Sequence, residues 1–294
     1  MGALNSAEFD QFMTKVNGIT QVDWLRFYGF IDSNSIALEP GASEWDALLE
    51  TWLGCAARDL GGKYQLSKSD NFFFLSAHSP DSAHTILKFA ESALGSIEEL
   101  VPEIRTQDKW RLVLVQIHEA ESYLNYSEYH SGGYAVSTAA AGMFLPSAGY
   151  QHIVMGPIEA PAIETTIAHE LAHYCLAQHD PPLWLDEGMA VTIERTLSGR
   201  QIMITREDMN AHRALWSEEN IKKFLDGTAF AEFDATLTYG LAEILVHGIL
   251  QTDRAKLFEL VKASSREDGG NEAFLAHFGV DVRDMILGFL EQDF

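Results

Sequence analysis

The chain has 294 residues, 47% hydrophobic and 21% charged, the proportions of an ordinary folded protein rather than a disordered one. Its 20 Lys and Arg against 43 Asp and Glu leave a formal charge of −23, with no acidic tail at either end. Such a surface repels phosphate, which argues against a nucleic-acid binder and disfavours docking on anionic lipid.

Two cysteines, Cys55 and Cys175, are too few for a disulfide scaffold or a four-cysteine metal site. The first residues, MGALNSAEFDQFMT, lack a basic start and an apolar stretch, so no signal peptide is read and a cytoplasmic location is expected. No apolar run approaches the ~18 residues that span a bilayer.

Residues 1–62 mix short apolar clusters with turn signals and are read as an N-terminal extension of unassigned role. Within them, Trp45, Leu48, Leu49, Trp52, Leu53 and Ala56 recur at helical spacing, so residues 45–60 are expected to be helical up to Gly61-Gly62. A strand is expected at 71–77, then a helix at 81–100 with Asp81 as N-cap. An alternating run at 110–118 reads as a strand and 119–129 as a helix. After Gly132-Gly133, strand-like runs at 134–145 and 150–155 flank Gly149 and suggest a hairpin. The run at 150–155 could be a sheet edge, which its residues allow without requiring. The small residues Ala139 to Gly142 suit either close backbone approach or packing.

From Gly156-Pro157 onward nearly everything has helical period: 162–179, 183–197, 206–225, 238–250, 254–263 and 271–290. The layout is therefore α+β, with a strand-rich lobe over 63–160 and an all-helical lobe over 161–294. The seam near residue 160 is where the chemistry lies.

His169-Glu170-Leu171-Ala172-His173 is an HExxH sequence inside an expected helix. Four residues turn a helix by about 400°, so both imidazoles leave one face and can bind one metal ion. Glu170 lies beside that position and can move a proton from a water to a leaving group. Pro181-Pro182 stops this helix. A second helix follows with Leu183-Trp184-Leu185-Asp186-Glu187-Gly188-Met189-Ala190, and so short a link makes the two helices neighbours. Glu187 could then be a third ligand, leaving one position open.

HELAH followed by WLDEGMA resembles the gluzincin metallopeptidases, the group that includes thermolysin and aminopeptidase N. The resemblance covers residues 163–191. It implies a thermolysin-like two-lobe catalytic domain, with a mixed sheet in the N-terminal lobe and the active-site helix at the seam. It further implies one Zn²⁺ per chain on His169, His173 and Glu187, with Glu170 as general base of a peptidase. The expected partner is a peptide or protein substrate. The G-x-M-E-N segment with which the aminopeptidase branch holds a free amino terminus is missing.

The same resemblance implies a tyrosine that stabilises the oxyanion. Tyr239 is the candidate, and His247, eight residues on, is the alternative. Glu194 is read either as a hydrogen-bond partner of a ligand histidine or as a surface charge paired with Arg195 or Arg200. His179 occupies the third-histidine position of metzincins, but Leu176 stands where their turn has glycine. Cys175 is read as a core thiol. Two other functions stay open: a catalytically silent zinc-bearing module that binds peptides, with Asp186 or His179 closing the metal shell, and a metal hydrolase acting on a non-peptide amide.

Overall fold

A computed structural model describes residues 6–36, 43–102, 104, 111–131, 141–147, 150–201 and 203–291. The chain is mixed α and β. Its described residues form a two-stranded sheet, a five-stranded mixed sheet and a helical C-terminal part. Contacts divide it into Met1–Leu94 with Gln107–Glu170, and Gly95–Thr106 with Leu171–Phe294. Residues 1–62 thus share a unit with the sheet. The sequence reading sets a lobe boundary after residue 160, and the contacts divide between Glu170 and Leu171.

In the first unit, α1 (Ser6–Asp10) precedes the hairpin of β1 (Met13–Val16) and β2 (Ile19–Val22). Its turn is Asn17-Gly18, both at positive φ (49° and 84°), the geometry a tight hairpin demands. Next come α2 (Trp24–Asn34) and α3 (Ser43–Leu60). Asp23 caps α2 by accepting from the Arg26 amide, and α2 buries Trp24, Phe27 and Ile31 at helical spacing. α3 buries the six apolar residues expected of it. Then follow β3 (Gln65–Lys68), β4 (Phe72–Ser76), α4 (Pro80–Leu100), β5 (Leu112–Gln116), α5 (Ala120–His130), β6 (Gly142–Ser147), β7 (Tyr150–Met155) and α6 (Ala160–Leu176). The Ser79 hydroxyl accepts from the Ser82 amide, so Ser79 starts α4 and Asp81 sits inside its first turn rather than at the cap.

The large sheet runs β3-β4-β5-β7-β6, with β4, β5 and β7 parallel and the two outer pairs antiparallel. The hairpin of β6 and β7 forms as expected, but β7 is not an edge. It lies between β5 and β6 with five of its six residues buried, the pattern of an interior strand. The edge on that side is β6. Gly132-Gly133, residues 134–140, Gly149 and Trp110 lie outside the described residues. In the core, Trp24 stacks on Tyr150 with ring centres 3.9 Å apart, and the Trp52 indole donates to the Thr20 carbonyl at 3.0 Å. The extension therefore supplies aromatic rings to the packing under the sheet. At Gly142 an added Cβ would fall 2.5 Å from Thr166 Cγ2, so the absence of a side chain brings β6 against α6.

In the second unit, α7 (Leu183–Leu197) is followed by α8 (Arg206–Leu215), α9 (Glu218–Leu225), α10 (Ala229–Glu232), α11 (Ala235–Thr252), α12 (Arg254–Ala263), α13 (Asn271–Phe278) and α14 (Val282–Leu290). Residues 206–225 and 271–290, each expected as one helix, are each two. Ser217 accepts from the Asn220 amide and starts α9. Gly279, at φ 77°, ends α13, and Asp281 accepts from the Asp284 amide to start α14. These side chains offer backbone amides a better partner than the next helical carbonyl, which breaks an otherwise continuous apolar period. α7 packs on α11 at Gly188, where a Cβ would lie 2.5 Å from the Ala242 carbonyl oxygen. Arg195 of α7 grips the buried Glu243 of α11 through two nitrogens. Among the described residues, no helix is long and apolar enough to cross a membrane.

Candidate metal centre

One continuous helix, α6, carries His169 and His173 a turn apart. It ends at Leu176. Asp180 then takes a positive φ of 46°, and Pro181-Pro182 leads directly into α7. The Pro182 carbonyl accepts from the amides of Leu185 and Asp186, which opens α7 and sets Asp186 and Glu187 near its start.

His169, His173 and Glu187 each offer one donor atom within 4.8 Å of the others. These are the three residues expected as metal ligands, and the fold brings them together. His173 Nε2 stands 3.6 Å from Glu187 Oε2. Its other nitrogen, Nδ1, is 2.8 Å from Asp186 Oδ1. An ionised carboxylate only accepts, so Nδ1 donates to Asp186, and Nε2, on the side facing Glu187, is the nitrogen that could ligate a metal ion. Burial opposes charge on His173, yet Asp186 and Glu187 outweigh it and raise its pKa well above the usual histidine range. A cation binding here competes with that proton.

Glu170 is buried and accepts the Phe144 amide of β6 at 2.6 Å through Oε2. An edge-strand amide thus orients the carboxylate that follows the first histidine. Tyr123 of α5 lies nearby. Burial, with the Glu170 charge adding to it, pushes its phenol up to about 12.

The remaining candidates are placed as follows. His179 Nε2 is 3.1 Å from the Ile104 carbonyl, and its ring meets Phe258 edge-on; it is not part of the triad. Glu194 pairs with Arg200 at 2.7 Å, the surface-charge alternative. Cys175 is buried, as read. Tyr239 is half-buried on α11 with its ring against Phe230. His247 is half-buried and lines a polar cavity with Arg195 and Glu243.

Sequence reasoning missed the role of Asp186. The sequence offers Asp186 only as a residue that could close a metal shell, whereas its carboxylate meets His173 Nδ1 and orients that candidate ligand. The signal was its place directly before Glu187 at the start of a helix, where both side chains can meet one imidazole. The Phe144 amide left no trace in the sequence, because any residue carries one. No family model matches the chain, and no curated protein matches it.

Proposed function

We propose that this protein is a zinc-dependent hydrolase of gluzincin type, cleaving peptide bonds. The observation that carries the reading is the convergence of His169, His173 and Glu187. Zinc bonds of about 2.0–2.1 Å in a tetrahedron put neighbouring donor atoms roughly 3.4 Å apart. The 3.6 Å between His173 Nε2 and Glu187 Oε2 suits that geometry. Two imidazoles and one carboxylate are also a donor set used by catalytic zinc with one position open.

When bound, zinc would lower the pKa of a water and polarise the scissile carbonyl. The chain's residues do the rest. Asp186 holds the His173 ring in the ligating tautomer. Glu170, anchored through one oxygen by the Phe144 amide, takes the proton of the attacking water and later gives it to the leaving amine. Tyr239 is assigned to the developing oxyanion. Its support is position, one helical turn before Ala242, whose carbonyl meets Gly188 beside Glu187.

The test measures zinc content and turnover of an internally quenched peptide library. The wild-type chain should hold one zinc, and a His169→Ala/His173→Ala variant should hold none; full retention there would sink the assignment. Glu170→Gln should keep zinc and lose turnover. Tyr239→Phe should lower kcat by about 10²–10³-fold with KM little changed. Unchanged kcat would remove Tyr239 from the mechanism.

A further inference from the structure

A polar cavity of about 490 Å³ lies wholly in the second unit. Its walls include Thr192 and Arg195 of α7, Arg200 just beyond, and Glu243, His247 and Gln251 of α11. The last three recur every four residues and so form one stripe along α11. The cavity is not the face of α7 that carries Glu187: Thr192 lies about 140° around the helix from Glu187 and about 7.5 Å further along.

The lining has hydrogen-bonding capacity to spare. Thr192 is 2% exposed, and among the described residues its hydroxyl has no hydrogen-bond partner. Buried hydroxyls are nearly always satisfied, so this one points to a missing partner. Among the described residues the one carboxylate in the lining, Glu243, is engaged by two nitrogens of Arg195 and presents no unbalanced negative charge. Arg200 is held by exposed contacts, Glu194 at 2.7 Å and the Ser198 hydroxyl at 2.9 Å, which cost little to rearrange. In a chain of −23, this is a pocket lined by donors and guanidinium groups. Its volume falls in the range of small-molecule sites rather than of a bare ion.

We propose that this cavity binds a small molecule bearing an oxyanion, a carboxylate or a phosphate. Arg200 and His247 hold the anion, and Thr192 supplies the buried donor.

The test titrates the full chain with inorganic phosphate and with succinate, following its unfolding temperature at constant ionic strength against a chloride control. The His169→Ala/His173→Ala variant serves as background, so neither anion reports on the metal ligands, and the outcome is independent of the zinc reading. One of the two anions should give a saturable rise, and which one does so identifies the oxyanion. Arg200→Gln and His247→Gln should each weaken that response about tenfold or more. Absence of a saturable response to either anion would overturn the proposal, as would a response equal to that of chloride. A response unchanged in Arg200→Gln would also overturn it, and this exposed substitution keeps the test valid even if His247→Gln folds poorly.

Discussion

His173 has two obligations on one ring. Its Nδ1 meets Asp186 at 2.8 Å and its Nε2 faces Glu187 at 3.6 Å, so the tautomer that donates from Nδ1 leaves Nε2 for the proposed metal ion. Removing the orienting carboxylate leaves the imidazole to choose another tautomer and rotamer, and such partners typically govern metal affinity. Asp186→Ala should therefore weaken zinc binding by about 10–100-fold while leaving the ligands in place. Competition with a chelator measures this, and unchanged affinity would show that Asp186 does not orient the ring. The HExxH pair was legible in the sequence because helical period sets its spacing, and Glu187 because a short Pro-Pro link joins the two helices and WLDEGMA resembles a known ligand segment. Asp186 was legible only as a neighbour, since one carboxylate can ligate a metal or support a ligand, and side-chain direction decides which.

At the level of elements, α7 is positioned by its contact with α11. Gly188, next to Glu187, meets the Ala242 carbonyl where a Cβ would have only 2.5 Å, and Val246 Cγ2, one turn on along α11, would lie 2.7 Å away. Gly188→Ala must push the helices apart, at a cost of about 1–3 kcal/mol for overpacking, and should weaken zinc binding through Glu187. Gly248→Ala is the control. Its Cβ would meet only Met285 Cε at 3.8 Å, so helix propensity favours it by up to about 1 kcal/mol. Urea unfolding of both variants should give opposite signs; destabilisation by both would remove the steric explanation. The helix starts at Ser217 and Asp281 and the stop at Gly279 were written in plain capping chemistry, but a continuous apolar period hid them.

For the molecule, the first unit carries a pH dependence in its core. His130 and His152 are buried with ring centres 4.5 Å apart, and Tyr126 Oη lies 3.0 Å from His152 Nε2. Burial holds His130 down to about 3 and His152 well below its usual value. The unfolded imidazoles protonate near ~6.5, so below that pH the unfolded state binds more protons and stability falls as pH falls. The loss amounts to about 1.4 kcal/mol per pH unit per histidine, between ~6.5 and the folded value. His130→Asn should flatten the decline of the urea midpoint from pH 7 to 4 relative to wild type. A parallel decline would assign the acid sensitivity to carboxylates instead.

The sequence by itself determined the α+β division, most helices of the second half and the HExxH pair of the candidate site, because these rest on periodicity and on spacing within a turn or two. Only tertiary structure decided which strand is the sheet edge, that residues 1–62 supply the aromatic core, and that Asp186 and the Phe144 amide orient the candidate ligand and base. Those outcomes depend on which distant surfaces meet, and no local pattern encodes that meeting. A buried strand and an edge strand can share one apolar run, and a backbone amide is the same in every residue until the fold gives it a partner.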